Sequence, residues 1–309
     1  MNNNENIKYN YIIYHKNCLD GFSGFIVFLK TKFWDPKPTI YPDIPSTKVV
    51  PPNIEGKNVI IIDVAYNADI IKEIAEKANN VLFIDHHVTI QKDVENLNLG
   101  ENNKIVYDLN ESGASLVWKY FFGNKKRPRF LDYVKDNDIG TWELQETFPF
   151  IAGIDVNFTF EPSYENIKKW DNLFNDDFLS ALVERGRVYD EYKLYLIKKS
   201  SKNYSIKNFP SEKIIDKFKG VKVGEYTVAV TNVTCPSTSL VGKHIAENVE
   251  CDFVLLYNYV MDKKKYVISL RSISADVGEI AKALGGGGHK FASGCAISSN
   301  EYVIDDLFV

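Results

Sequence analysis

Three short apolar runs constrain the fold more than any other feature of the chain. They are residues 9–14, 57–62 and 81–84, and they are rich in β-branched and aromatic side chains. Uninterrupted apolar runs of about four to eight residues are typical of strands that are buried on both faces. Residues 21–33 and 67–78 follow the first two runs with apolar residues at helical spacing. The pattern predicts an α/β fold, with a parallel sheet and helices on both of its faces.

The remainder of the chain predicts a helical linker and a smaller α/β domain. Residues 161–209 are charged, aromatic and rich in helix formers. Strand patterns follow, and those at 252–260 and 265–273 are close enough to form a hairpin. We therefore predict an N-terminal domain over residues 1–160, a linker over 161–209 and a C-terminal domain over 210–309.

Composition and charge exclude several classes of protein. The formal net charge is −4, which argues against a protein that coats long nucleic acid, because such binding requires many cations. Cys18, Cys235, Cys251 and Cys295 lack close-pair spacing, which favours reduced thiols over a disulfide framework. No run of about 18 apolar residues occurs, so we expect no membrane segment and a cytoplasmic protein.

The predicted strands end in residues that can bind a hard cation. His15 follows the first strand, Asp63 follows the second, and the triplet Asp85-His86-His87 follows the third. The carboxyl ends of parallel strands lie along one edge of a sheet, so these side chains should converge. Asp20, in the polar loop after His15, lies on the same side.

Each of these residues alone also has an ordinary structural interpretation. Asp63 could cap a helix, His15 could be a hydrogen-bonded histidine, and Asp136 with Asp138 could form a solvated turn. Three of the five histidines nevertheless fall at predicted strand ends, which favours a metal site. Imidazole and carboxylate ligands without paired thiolates suit manganese, magnesium or iron.

Four consecutive glycines precede His289 near the end of the chain. Glycine costs conformational entropy on folding, and its missing side chain lets backbone amides approach a phosphate closely. A flexible turn between a helix and a strand is the alternative interpretation. Arg271 and Lys290 could add positive charge to a phosphate site at this loop.

Together these segments resemble the motifs of the DHH phosphoesterase superfamily. The first four motifs correspond to residues 15–21, 61–63, 85–87 and 136–138, and residues 111–115 resemble the small-residue segment after the third. Residues 269–272, 285–290 and 292–294 resemble the substrate-binding motif of the DHH-associated C-terminal domain. The resemblance extends from about Tyr9 to Ala296. It implies a catalytic N-terminal domain and a substrate-binding C-terminal domain.

The first motif departs from the family pattern at Cys18. This cysteine stands where the family has a metal-binding aspartate, with one residue fewer between it and His15. Cys18 could be a softer ligand or a small buried thiol, and both interpretations stay open. In the fourth motif we take Asp136 rather than Asp138 as the ligand, because residues 138–142 resemble the segment that follows the ligand in the family.

The resemblance implies hydrolysis of a phosphoester by water with two divalent ions, Mn²⁺ first, with Mg²⁺ or Co²⁺ as alternatives. The implied ligands are His15, Cys18, Asp20, Asp63, His86 and Asp136. Asp85 would ligate a metal or orient His86, and His87 would face the substrate. The implied substrate-binding residues are Arg271, Ser272, Gly285, Gly286, Gly287, Gly288 and His289.

The same resemblance limits the substrate and the partners. We expect a short oligonucleotide, a dinucleotide or another small nucleotide, without long duplex nucleic acid or a membrane as a partner. An inorganic pyrophosphate or polyphosphate hydrolase is one alternative, and a non-catalytic nucleotide-binding regulatory protein is another. The oligomeric state is left open, with a homodimer as one option.

Overall fold

The computed structural model describes residues 7–45, 49–233 and 237–309. The chain divides into two compact units, Met1–Asp190 and Glu191–Val309. Both units combine helices with a sheet, which confirms the predicted α/β class. Cys235, one of the thiols considered above, lies outside the described residues. No helix within the described part of the chain has the length and apolarity needed to span a bilayer.

The first unit is built on a five-stranded parallel sheet with the strand order β2-β1-β3-β4-β5. Its strands are β1 Tyr9–His15, β2 Trp34–Asp43, β3 Asn58–Ile62, β4 Asn80–Asp85 and β5 Lys104–Tyr107. Its helices are α1 Leu19–Leu29, α2 Ala68–Lys77, α3 Gln91–Glu95, α4 Gly113–Phe122, α5 Arg129–Asp138, α6 Thr147–Asn157, α7 Tyr164–Asp171 and α8 Asp176–Ser200, the last of which continues into the second unit.

Alternate side chains of the central strands enter two different cores. Ile12 and Tyr14 of β1 pack in the core that includes α1, α4 and α5. Tyr11 and Ile13 pack in the core that includes α2, on the opposite face. Because successive residues of a strand point to opposite faces, two buried faces require an uninterrupted apolar strand. This arrangement confirms the prediction of helices on both faces.

Strand β2 was not predicted, because Pro38 and Pro42 interrupt its pattern. Proline removes a backbone donor and is normally confined to edge strands. The structure has β2 at the edge, where it pairs with β1 alone. The prolines therefore mark an edge strand rather than the absence of a strand.

The second unit is a six-stranded mixed sheet with the order β10-β11-β9-β8-β7-β6. Its strands are β6 Ser205–Phe209, β7 Tyr226–Asn232, β8 Phe253–Val260, β9 Lys265–Arg271, β10 Gly287–His289 and β11 Ala292–Ser298, and its helices are α9 Thr238–Asn248 and α10 Val277–Ala283. The β8–β9 hairpin occurs as predicted.

Helix α8 crosses α6 so closely that only glycine fits at position 186. A Cβ atom on Gly186 would overlap the carbonyl oxygen of Pro149 and lie 2.9 Å from the backbone nitrogen of Gly153. Gly186→Ala should therefore lower the free energy of unfolding by about 3 kcal/mol or more, although alanine is the better helix former by about 1 kcal/mol. Urea denaturation measures this change.

Glu184→Ala, an exposed substitution on the same helix, is the matched control and should change stability by less than about 0.5 kcal/mol. A Gly186→Ala variant as stable as the wild type would contradict the close helix crossing.

Candidate metal centre

The candidate site forms where the three central strands of the first unit end. The chain leaves β1 at His15 and β4 at Asp85, and Asp63 directly follows β3. The strand order places β3 between β1 and β4. Adjacent parallel strands end at the same edge, so the predicted convergence of these residues occurs.

Two groups of three side chains there could each hold a metal ion. His15, Asp63 and His87 form the first group, and the second consists of Asp20, His86 and Asp138. Within each group the potential ligand atoms all lie within 4.8 Å of one another. The structure thus brings together five of the predicted site residues, and it adds Asp138.

Asp63 lies between the two groups. Its Oδ2 is 3.3 Å from Nδ1 of His15, in the first group. Its Oδ1 is 3.3 Å from Nε2 of His86, in the second. A carboxylate with one oxygen turned to each group has the arrangement of a bridging ligand between two metal ions.

The polar atoms at this junction lack the partners that buried atoms normally have. Asp63 Oδ1, His86 Nε2 and Asp138 Oδ2 are buried without a hydrogen-bond partner in the described part of the chain, even though His86 Nε2 lies 2.9 Å from Asp138 Oδ2. Such atoms cost about 1–3 kcal/mol each. A cation would satisfy all three, so the residues fit a metal ion.

The electrostatics of the junction also favour added positive charge. Burial opposes a charged His86, but the close carboxylates of Asp138 and Asp63 outweigh it and raise the pKa of His86 to about 11. Burial and the charges of Asp63 and Asp138 raise the pKa of Asp20 well above its usual value. Burial likewise opposes the charged form of Asp63, but the hydrogen bond with His15 and the nearby ring of His86 lower its pKa to about 2. A divalent cation would neutralise this cluster of carboxylates.

The N-terminus of α4 holds the Asp20 carboxylate in place. The backbone N–H groups of Gly113 and Ala114 donate hydrogen bonds of 2.5 and 3.0 Å to its two oxygens. A Cβ atom on Gly113 would lie 2.7 Å from Cβ of Asp63 and 2.8 Å from Oδ2 of Asp20. Glycine is therefore required between these two carboxylates. The sequence alone links residues 111–115 to the family by resemblance and predicts no role for them.

Asp85 orients His87 rather than His86. Its Oδ1 accepts hydrogen bonds of 2.7 and 2.9 Å from the backbone nitrogens of His86 and His87, and it lies 2.8 Å from Nδ1 of the His87 ring. Asp85 belongs to neither group of three. A carboxylate partner of this kind fixes the tautomer and orientation of a histidine.

Cys18 contacts the bridging aspartate. Its Sγ donates a hydrogen bond of 3.4 Å to Oδ2 of Asp63. Burial, reinforced by the charge of Asp63, raises the pKa of the thiol far above its usual range. Cys18 belongs to neither group of three. In this arrangement it is a neutral donor, and a ligand role would require deprotonation.

Asp138, rather than the predicted Asp136, lies beside the other potential ligands. Both oxygens of Asp136 accept hydrogen bonds from the loop that follows α5, with donors at Thr141, Glu143, Leu144 and Thr147. Asp136 therefore anchors this loop, while Asp138 reaches His86. Two residues on a helix are about 200° apart, so both side chains cannot face the same site.

In the second unit, three of the four consecutive glycines have structural roles. Gly285 adopts a left-handed φ of 80° after α10, and Gly288 has a φ of 141°. A Cβ atom on Gly286 would overlap the carbonyl oxygen of Gly294. A Cβ atom would meet open space at Gly285 and at Gly287, so Gly287 alone of the four glycines has neither a left-handed φ nor a close neighbour. Gly287 therefore has no steric requirement for glycine, and His289, two residues further along the chain, is exposed.

Arg271 and Ser272 differ in how free they are to bind a ligand. Nε and Nη2 of Arg271 lie 3.3 and 3.2 Å from Oγ of Ser239, which holds the guanidinium at the start of α9. Ser272 is buried, and its hydroxyl donates to the carbonyl of Asp252 and accepts from two backbone nitrogens. Ser272 shapes a turn in this geometry, so its predicted contact with a substrate has no support.

Comparisons with known proteins agree with these features. A family model for the DHHA1 domain matches residues 239–307. An uncharacterized protein of Acanthamoeba polyphaga mimivirus is 28% identical over 304 residues, and oligoribonuclease NrnB of Bacillus subtilis is 26% identical over 267 residues. These matches cover 93% and 79% of this chain, but 67% and 58% of the relatives' own length.

The solved structure of the pGpG-specific phosphodiesterase PggH from Vibrio cholerae has the same fold. It aligns over 95% of this chain and 94% of its own, with a TM-score of 0.54 and 17% sequence identity. The chain carries a DHHA1 match and resembles members of the DHH phosphoesterase superfamily in sequence and fold. DHH family members are phosphoesterases, and the DHHA1 match falls within the second unit of this chain.

Asp138 and Asp136 should separate metal binding from loop anchoring. Asp138→Asn should weaken Mn²⁺ binding at least about tenfold and lower the stability of the metal-free protein less than Asp136→Asn does, because it alters one contact with His86 rather than four hydrogen bonds. Asp136→Asn should lower the metal-free stability by about 1.5–3 kcal/mol, the cost of losing charged hydrogen-bond acceptors. Calorimetric titration with Mn²⁺ and denaturation in EDTA measure the two effects. The reverse assignment of effects would restore Asp136 as the ligand.

Proposed function

We propose that the protein is a metal-dependent phosphoesterase that hydrolyses short oligonucleotides, dinucleotides or a related small nucleotide. The observation that carries this proposal is the pair of three-residue groups joined through the Asp63 carboxylate. Two adjacent cation sites suit phosphoester hydrolysis, because the attacking oxygen and the leaving oxygen both need stabilisation.

In the proposed mechanism, His15, Asp63 and His87 would hold one divalent cation, and Asp20, His86 and Asp138 would hold the second, with Asp63 near both. Such cations, when bound, would supply an activated water molecule near neutral pH and positive charge for the phosphate. Mn²⁺ is the proposed ion, because mixed imidazole and carboxylate ligands suit it.

The surrounding residues keep these ligands in position. The α4 N-terminus orients Asp20 through two backbone N–H groups, and Asp85 holds the His87 ring. His87 is 30% exposed, so its ring can meet both the site and an entering substrate. The proposed role of His87 is therefore to ligate the first cation, to assist the leaving group or to bind the phosphate.

The proposed substrate class rests on the second unit and on one relative. The glycine-rich loop at residues 285–288, the guanidinium of Arg271 and the imidazole of His289 suit a phosphate group. NrnB, with 26% identity, is an oligoribonuclease, which supports short RNA fragments as substrates. The proposed location is the cytoplasm, where such fragments arise.

A substrate panel with Mn²⁺ tests the proposal. The panel comprises a 5′-phosphorylated dinucleotide, a cyclic dinucleotide, phosphoadenosine phosphate and inorganic pyrophosphate. Asp63→Asn should reduce hydrolysis of the preferred nucleotide by more than about a hundredfold, since even the loss of a residue behind a ligand costs 10–100-fold. Chelation by EDTA should abolish turnover, and added Mn²⁺ should restore it.

Asp93→Asn is the matched control, because Asp93 is exposed on α3. Its rate of hydrolysis should remain within about twofold of the wild-type rate. Fastest turnover of pyrophosphate would assign the protein to phosphoanhydride hydrolysis instead. Nucleotide binding without hydrolysis, unchanged in Asp63→Asn, would indicate a regulatory protein.

A further inference from the structure

An exposed tryptophan lies in a strained position beside the metal centre. Trp142 follows Asp138 by four residues, in the connection between α5 and α6. Its φ is 49°, in the left-handed region, and its side chain is 57% exposed. A bulky residue at positive φ is rare and costs about 1–3 kcal/mol, and such strain clusters at functional sites.

The connection that carries Trp142 is firmly held. The Asp136 carboxylate accepts hydrogen bonds from the side chains of Thr141 and Thr147 and from the backbone of Glu143 and Leu144. Its main-chain carbonyl accepts from the N–H of Trp142 itself. These bonds hold the indole in an exposed orientation, so the ring adds little buried apolar area to the core.

A second exposed ring extends the same surface. Phe148, at the start of α6, is 50% exposed, and its ring centroid lies 6.2 Å from that of Trp142 with an interplanar angle of 31°. Aromatic rings at this separation present a nearly continuous apolar face. Flat π-faces of this kind stack nucleobases without regard to sequence.

The aromatic platform formed by Trp142 and Phe148 lies within reach of the metal centre. A Cβ atom on Gly140 would lie 4.0 Å from Cζ2 of Trp142, so the indole folds back over Gly140. Gly140 is two residues from Asp138, at most about 7 Å along the chain. The indole edge is therefore roughly 13 Å or less from the backbone of Asp138, a distance comparable to the size of a nucleotide.

We infer that Trp142, with Phe148 beside it, stacks a base of the substrate while a phosphate lies at the metal centre. This inference rests on the proposed function and narrows it. It assigns the substrate to the nucleotides, because inorganic pyrophosphate and polyphosphate have no base to stack. It also gives Asp136 a role, as the positioning residue of the platform.

Paired substrates test the inference kinetically. One is a 5′-phosphorylated diadenosine dinucleotide, and the other is the same dinucleotide with both bases removed. Trp142→Ala should raise KM for the complete dinucleotide about tenfold. It should change KM for the abasic compound by less than about twofold, because that compound has no base to stack. Trp142→Phe should recover most of the affinity. Tyr164→Ala, which removes an exposed ring from α7 of the same unit, should change KM for neither substrate. Equal effects of Trp142→Ala on the two substrates, or none on the complete one, would overturn the inference.

A binding measurement separates this inference from the proposed function. Adenosine monophosphate should quench the tryptophan fluorescence of the wild type, ribose 5-phosphate should not, and the quenching should disappear in Trp142→Phe. If the wild type hydrolyses no dinucleotide but shows this pattern, the proposed function fails while the stacking platform stands. Quenching that persists in Trp142→Phe, or no quenching by the nucleotide, overturns the platform whatever the enzyme hydrolyses.

Discussion

The position of the Asp63 carboxylate is the constraint on which the rest of the candidate site depends. Asp63 is one of the non-glycine residues with a positive φ, at 62°, a conformation that costs about 1–3 kcal/mol. Its backbone N–H donates to the carbonyl of Ile84 in the neighbouring strand. A hydrogen bond between Tyr66 and Asp43 fastens the segment that follows to the end of β2. The sheet thus holds Asp63 in a strained turn with its oxygens directed at two histidine groups.

Much of this site could be predicted because it follows from the topology. Parallel strands of similar length end together, so His15, Asp63 and the 85–87 triplet had to meet once the three apolar runs were identified as neighbours. Helices on both faces followed from the lack of alternation in those runs. The prolines of β2 hid one strand, although their presence was compatible with an edge position.

Other features could not be predicted because they depend on contacts distant in sequence. The bonds from Thr147 and from the loop backbone to Asp136 exist only after α6 has packed, so spacing alone did not distinguish Asp136 from Asp138. The need for glycine at position 113 arises from Asp20 and Asp63, about 90 and 50 residues away. Likewise, the glycine run suggested one phosphate-binding loop, but packing against β11 explains Gly286. Only the three-dimensional arrangement shows that Gly287 is the one glycine of the four without a steric requirement.

The central claim is that two divalent cations bind side by side and share Asp63. A crystal grown with Mn²⁺ and measured at the manganese absorption edge tests this claim most directly, because anomalous scattering locates each ion. The account predicts two ions about 3.5–4 Å apart, one beside His15 and His87 and the other beside Asp20, His86 and Asp138, with Asp63 between them. A single ion, or ions that do not contact Asp63, would contradict it.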